Sequence, residues 1–392
     1  MNLIDFFEPI ALEKFLPLNE RKSHWLGNRL VLNAHNWEDK AHWASIKIAL
    51  IGVDEDRNGK YQEACKGSAD AVRSYLYKLS HHDFHFEIAD LGNIKPGHEI
   101  GDTYFAIQTV AAFLIEKGVL PILIGGSNDL AYAMYKAYAQ LQRTVNFVAV
   151  DSVFDLAGHE STLDGESYLT HLLMQQPNYI FNYSNIGYQS YLIDPMHPPL
   201  LNKLNFDYHR LGSMQAQPEL MEPIVRNADF IAFDISAVRQ SEAPGCYAAG
   251  PNGFYGEEAC QLTRYAGLSD KLSAIGFFEF HPQLDRRGQT AHLMAQMIWY
   301  FIEGFANRKN DFPFQSQKDY TKFRVMLHED RYEIIFYKSH KSDRWWMEVP
   351  CPTNLKSKYE RHYLVPCSYR DYQTAMKEEM PDRWWQVYQK LM

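Results

Sequence analysis

A chain of 392 residues has room for two or three units of ordinary size, or for one large α/β domain with an appendage. Its 46% apolar and 22% charged residues exclude disordered, collagen-like and coiled-coil classes. Thirty-nine Lys+Arg against 48 Asp+Glu leave a formal charge of −9, the reverse of what phosphate neutralisation requires, so nucleic acid is not an expected partner.

The N-terminal MNLIDFFEPIALEKF carries an acid at position 5 and no cationic flank before an apolar run, which argues against a signal peptide. Residues 1–45 hold Trp25, Trp37 and Trp43 and are expected to form an arm packed on the core. From 46 to 310 short β-branched runs alternate with segments of helical period, the pattern of a parallel sheet wrapped by helices. The expected strands are 46–53, 84–91, 119–126, 145–151, 179–188, 206–212, 229–235 and 272–280, several apolar nearly throughout, as strands covered on both faces should be. The expected helices are 69–80, 102–116, 130–141, 218–227, 255–267 and 290–307.

The longest apolar stretch, Tyr104 to Ile115, is broken by Gln108 and Thr109 and is too short for a bilayer, so no membrane association is expected. Five scattered cysteines (Cys65, Cys246, Cys260, Cys351, Cys367) form no C-x-x-C pair, which fits a reducing, cytoplasmic compartment and no thiolate zinc site. Residues 311–392 differ in kind. A hairpin, YTKFRVMLHED with RYEIIFYKS and Glu329-Asp330 near its turn, precedes a helical finish from about Arg370, and Asp-Arg-Trp-Trp occurs at 343–346 and again at 382–385. Four of the eight tryptophans lie in this small α+β extension, far more aromatic surface than a linker needs: either they bury against the large domain, or at least one is exposed and anchors a protein partner.

In an open parallel sheet, ligands sit beyond the carboxyl ends of the strands. Four such ends are polar: Gly125-Gly126-Ser127-Asn128-Asp129, Asp151-Ser152-Val153-Phe154-Asp155, Asp234-Ile235-Ser236 and Glu279-Phe280-His281-Pro282. A carboxylate at the end of an apolar strand needs a cation, a metal or a cage of donors. Each alone reads equally well as a helix cap, but four on one rim point to a converging site.

The ordered series GG-x-x-D, D-x-x-x-D, FD-x-x with a following Ala243-Pro244-Gly245, and E-x-x-P-x-x-D resembles the ureohydrolase family of arginase, agmatinase and formimidoylglutamase. IALIGVDEDRNG at 48–59, GPNGFYGEEACQLTR at 250–264 and GQTAHLMAQMIWYFIEGF at 288–305 extend the resemblance over about 46–307. It implies a three-layer α/β/α arginase-like fold with an eight-stranded, mostly parallel sheet. It also implies hydrolysis of a C–N bond in a linear amidine or guanidine at two manganese ions, and a homo-oligomer.

Carried over residue by residue, the family's metal motif is altered here. The first-motif His is Asn128, the central His of the second motif is Val153, and the second Asp of the third motif is Ser236. The Asp before the Ala-Pro-Gly turn is Arg239, and a loop His falls at Tyr168. One ion keeps four oxygen-capable ligands, Asn128, Asp151, Asp155 and Asp234. The other loses its private ligands at Val153 and Ser236, since an isopropyl group coordinates nothing and a neutral hydroxyl is a poor ligand.

The expectation is therefore at most one divalent cation, Mn²⁺, Mg²⁺ or Ca²⁺, or an empty site whose acids are satisfied by Arg239, a lysine or backbone donors. Asp151 and Glu279 are the residual catalytic candidates; Glu279 matches the family Glu that faces a cationic head group, unless it merely pairs with Arg264 or Arg287. His159, His171 and His281 lie near the rim outside the motif positions, and nothing adjacent activates Cys246. Two readings follow: a non-catalytic binding or scaffold protein that retains a pocket for a guanidinium or amidine ligand, or a divergent metal-dependent hydrolase of linear amidines.

Overall fold

The computed structural model describes residues 3–391 except 35–36, 62, 83, 159, 314–316, 328–331, 355 and 357, so the hairpin turn at Glu329-Asp330 and His159 lie outside the described residues. The arm supplies two two-residue strands, β1 (Phe7–Glu8) and β2 (Val31–Leu32), and a short helix, α1 (Lys40–Ser45). The alternating region follows as β3 (Ile46–Val53), α2 (Ser68–Leu76), β4 (Glu87–Ile94), α3 (Ile100–Glu116), β5 (Leu120–Ile124), α4 (Leu130–Gln140), β6 (Val145–Val150) and α5 (Tyr168–Met174). It continues through β7 (Ile180–Tyr188), α6 (His197–Lys203), β8 (Asp207–Arg210), α7 (Leu211–Ala216), α8 (Met221–Arg226), β9 (Phe230–Asp234), α9 (Gly256–Gly267), β10 (Ala274–Phe278) and α10 (Gln289–Ala306).

Nine strands run in the order β1-β4-β3-β5-β10-β9-β6-β7-β8, with β2 attached to β4. The expected eight strands, β3 to β10, all pair in parallel; the arm adds β2 in parallel and β1 antiparallel, bringing the sheet to ten. Consecutive residues of one strand feed different cores. Leu50 packs with α2, α9 and α10 on one face, whereas Ile51 packs with α3 and α4 on the other, which is why β3 is apolar at nearly every position. The result is three layers, α/β/α. No helix among the described residues is long and apolar enough to cross a membrane.

Residues 311–392 form a second, separate sheet, β11 (Tyr320–Leu327), β12 (Tyr332–Ser339), β13 (Trp345–Glu348) and β14 (Leu364–Cys367), antiparallel throughout, followed by α11 (Tyr369–Ala375) and α12 (Asp382–Leu391). The two Asp-Arg-Trp-Trp copies are not a structural repeat, because the first runs into strand β13 and the second opens helix α12.

The extension docks on the end of the large sheet opposite the acidic rim. Arg226, at the last turn of α8, donates to the Trp345 and Cys367 carbonyls at 3.1 Å each, and its guanidinium lies 4.5 Å from the Trp346 ring. Arg361 donates to Asp229 Oδ1 at 2.8 Å, and His362 stacks on Phe181 at 4.2 Å. A polar cleft of about 710 Å³ lies along this junction, lined in part by Asp207, His209, Arg383 and Lys390.

Candidate functional site

The rim is assembled by turns that only particular residues permit. Gly125 (φ 97°) and Gly126 (φ 80°) turn the chain at the end of β5, and a Cβ on Gly126 would stand 2.7 Å from the Glu55 carbonyl oxygen. Gly126 then accepts the Glu279 amide at 3.0 Å, tying the end of β5 to the end of β10. Two acidic residues of the rim, Asp155 (φ 46°) and Glu279 (φ 62°), hold left-handed backbone conformations, a strain that persists where the surroundings over-determine it and that clusters at functional sites.

Asn128, Asp151, Asp155 and Asp234 converge. Asn128 Nδ2 lies 2.8 Å from Asp155 Oδ2, 3.3 Å from Asp234 Oδ2 and 3.4 Å from Asp151 Oδ2. The outer oxygens of two of these acids are already taken: Asp151 Oδ1 accepts the Val153 amide at 3.0 Å, and Asp234 Oδ1 accepts the Ser236 amide at 2.7 Å. Their Oδ2 atoms remain directed at one point. All four residues are buried, and Tyr168 and Tyr183 lie buried close by.

The charge there is uncompensated. Burial pushes the Asp151 carboxyl up to about 6, against the backbone donors that pull it down. Asp155 is pushed well up by burial and then by the charge of Asp151, and Asp234 by burial and then by Asp151 and Glu279. Arg239 does not reach them; it donates to the Gly253 carbonyl and lies over the Tyr255 ring at 3.3 Å. Among the described residues, these acids meet the Asn128 amide, the Ser236 side chain, backbone N–H groups and one another, so the expected arginine or lysine satisfaction is not found.

The same arrangement fits a hard divalent ion. Asn128 Oδ1 is buried with no hydrogen-bond partner among the described residues, while its Nδ2 sits among three acceptors. The two ends of a carboxamide are interchangeable in shape, and a half-turn places Oδ1 where Nδ2 stands, giving four oxygens. Separations of 2.8–3.4 Å match the edges of a polyhedron around an ion at about 2.1–2.4 Å from each oxygen. Val153 adds only its amide here, and Ser236 adds its amide and its side chain as hydrogen-bond partners of Asp234. The family's second set of ligands is missing from these positions.

Among the described residues, Glu279 is not paired with an arginine. Arg264 binds Glu303 at 2.7 Å, and Arg287 offers only its carbonyl, to Tyr75 at 3.3 Å. Instead the Asn128 amide donates to Glu279 Oε1 at 2.9 Å and His281 Nε2 lies 3.3 Å from Oε2. The Tyr247 amide donates to His281 Nδ1 at 3.1 Å, which places the ring proton on Nε2 and directs it at the Glu279 carboxylate. Cys65 Sγ lies within 4.8 Å of the Glu279 and His281 ligand atoms, but the protonated Nε2 makes this trio a hydrogen-bonded group and not a metal site. Burial pushes the thiols of Cys65 and Cys246 well up, so neither is an activated nucleophile. Tyr61 and Tyr247 stack at 4.3 Å beside His281.

These groups open on a cavity of about 370 Å³. Asp155, Glu166, Asp194, Asp234 and Glu279 line it against a single cation, Lys60, which is itself paired with Glu166 at 2.6 Å. His171 turns away, toward the Ser161 carbonyl at 3.1 Å. Asp129, the acid of the first motif, also stays out; it accepts from Ser127 and Tyr104 and braces the loop. The role of His281 was not legible from the motifs, because its partner Tyr247 lies 34 residues away on another loop.

The arginase family model matches residues 46–303. The formimidoylglutamase of Bacillus subtilis (strain 168) is 26% identical over 244 residues, 59% of this chain and 73% of its own length. That of Staphylococcus aureus (strain MRSA252) is 24% identical over 267 residues, covering 65% and 86%. The crystal structure of Trypanosoma cruzi formiminoglutamase with Mn²⁺ shares the fold at a TM-score of 0.62, with 18% identity over 69% of this chain and 96% of that one.

Proposed function

The chain belongs to the arginase family, and within it we propose a divergent, formimidoylglutamase-like hydrolase of C–N bonds in linear amidines or guanidines, with one divalent cation at the rim. The observation that carries the reading is the convergence of three buried carboxylates and the Asn128 amide on one point, with Glu279 held rigidly beside them. When bound, a divalent ion supplies Lewis-acid charge that makes water a stronger acid at neutral pH. Asn128, Asp151, Asp155 and Asp234 would hold it.

The chain's own groups do the rest. Glu279, fixed by the Asn128 amide and His281, presents a carboxylate to the planar cationic head of an amidine, a pairing that favours bidentate geometry. Five carboxylates against one paired lysine favour a ligand of positive net charge, and a dicarboxylate tail would meet no free cation among the described lining residues. Tyr61, stacked on Tyr247, adds an aromatic ring to the lining.

A second reading, a binding protein without catalysis, is favoured by Val153 and Ser236, since a two-ion mechanism loses its second site there. The relatives carry the names of enzymes, which favours the first. Incubating Mn²⁺-loaded protein with agmatine, arginine and formimidoylglutamate and following the released amine, urea or formamide tests both. Turnover that disappears in Asp151→Ala supports the hydrolase; saturable binding of these ligands without turnover supports the binding protein.

A further inference from the structure

At the opposite end of the sheet, a second cavity of about 230 Å³ lies at the seam between the large domain and the extension. Four cations line it: Arg143 after α4, Lys271 before β10, Arg308 after α10, and Arg361 from the extension. Its two acids are already engaged. Asp229 takes Arg361 on Oδ1 at 2.8 Å and the Asn146 amide on Oδ2 at 2.9 Å, with Lys271 Nζ at 3.7 Å. Asp270 accepts the amides of Asn310 at 3.3 Å and Asp311 at 2.9 Å.

Lys271 and Arg361 share the one carboxylate of Asp229, and the hydrogen bonds of Arg308 go to carbonyl oxygens. Arg308 donates to the carbonyls of Gly267 (2.9 Å) and Leu272 (3.1 Å), and Lys271, whose side chain is 1% exposed, donates to Asn227 Oδ1 at 3.0 Å. The Arg143 guanidinium is exposed and makes no hydrogen bond or ion pair among the described residues. Thr144 and Ser273 add hydroxyls to the lining. Burial pushes Lys271 down to about 8 against the opposing pull of Asp229, and Arg308 down to about 9 against that of Asp270; the lining sets four cations against two acids.

We propose that the seam pocket is a binding site for a small multivalent oxyanion, phosphate or the phosphoryl group of a small metabolite, clasped between Arg143 of the domain and Arg361 of the extension. Guanidinium forks suit the oxygens of such a group, and an anion here would tie the extension to the large sheet. The site is independent of the acidic rim.

Calorimetric titration of the full chain in chloride buffer at constant ionic strength, with inorganic phosphate and separately with glycerol 3-phosphate, tests it. One saturable site per chain with a Kd of about 1 mM or tighter for either probe is expected. Tighter binding of inorganic phosphate identifies the free ion, and tighter binding of glycerol 3-phosphate identifies an esterified group. Arg143→Gln, whose side chain holds no structural contact, should melt like the parent and bind at least about tenfold more weakly. Arg143→Lys should recover part of the loss, and Lys136→Gln, a half-buried position on the preceding helix outside the pocket lining, should leave binding unchanged. Absence of saturable heat with both probes, or equal binding by parent and Arg143→Gln, overturns the proposal.

Discussion

Asp229 and Asp234 flank one five-residue strand, β9, Asp229 just before it and Asp234 at its end, and they serve opposite ends of the sheet. Asp229 anchors the extension through Arg361, whereas Asp234 closes the carboxylate cluster around Asn128. Burial acts upward on both. Lys271 and Arg361 outweigh it at Asp229 and hold its carboxyl low, while at Asp234 the neighbouring acids add to it. The same residue type is thus a paired structural anion at one end of β9 and an uncompensated one at the other, and only the second asks for a cation.

That contrast sets the metal stoichiometry. Protein dialysed against Mn²⁺ should retain one ion per chain by elemental analysis, and Asp155→Asn or Asp234→Asn should release it. Two tightly held ions per chain would mean that Val153 and Ser236 do not mark a lost site.

Restoring the missing ligands should reverse the count. The Val153 and Ser236 amides already hold Asp151 and Asp234 in place, so the backbone frame of the motifs is intact. The triple variant Val153→His, Ser236→Asp, Asn128→His should fold and bind two Mn²⁺ per chain. A folded triple variant that binds no more than the parent would contradict the residue-by-residue match to the family motif.

The carboxylates also fix a pH dependence. The Asp151 carboxyl titrates at about 6 in the folded chain, above the ordinary Asp value near 3.9, so the folded state holds its proton more tightly than the unfolded state. Without metal, stability relative to an Asp151→Asn variant should therefore be greatest below about pH 4. It should fall by about 3 kcal/mol as pH rises from about 4 to about 6 and change little above that. Mn²⁺ replaces the proton, so the rise in melting temperature it produces should be large at pH 8 and small at pH 5. A metal-induced shift that does not change with pH would show that these acids do not bind the ion.

The tryptophans of the extension divide by burial. Trp346 and Trp384 are each 1% exposed, and Trp384 Nε1 donates to the Glu348 carbonyl at 2.8 Å. Their replacement by alanine should cost about 3–5 kcal/mol in denaturant unfolding, as should that of Trp345, which packs against Phe323 and Tyr372. Trp385 is 39% exposed and rests on Tyr388. Trp385→Ala should cost under about 1 kcal/mol, and it is the one of the four suited to anchor a partner; co-purification or self-association should weaken in that variant alone.

The large sheet is legible in the sequence because its strands are buried on both faces and spell continuous apolar runs; 46–53 coincides with β3 residue for residue. The helices α5, α6 and α7 were not foreseen, being six or seven residues long and embedded in loops with too few turns to show a period. Strands β13 and β14 were missed for a related reason: four residues each, one containing Pro366, they exist through pairing with one another and with β12. Identical Asp-Arg-Trp-Trp segments become strand and helix because packing overrides local preference. At the rim, motif spacing brought Asn128, Asp151, Asp155 and Asp234 into view together. The His281 contact depends on a loop crossing that no local pattern encodes.

The final prediction concerns the other end of β9. Asp229 is 2% exposed and meets Arg361, Lys271 and the Asn146 amide, so Asp229→Ala strands a buried lysine and an interdomain arginine at once. Removing one partner of a buried pair typically costs about 3–5 kcal/mol, because the charge left behind stays buried. The loss should fall on the seam first. Hydrogen exchange should rise in β13, β14 and at Arg361–Tyr363, while the strand ends carrying Asn128, Asp155 and Asp234 keep their protection and the variant keeps its Mn²⁺. If the melting temperature is unchanged, the extension is held by the apolar and Arg226 contacts alone. If instead metal binding is lost while the seam stays protected, the two ends of the sheet are coupled, contrary to their assignment here to separate tasks.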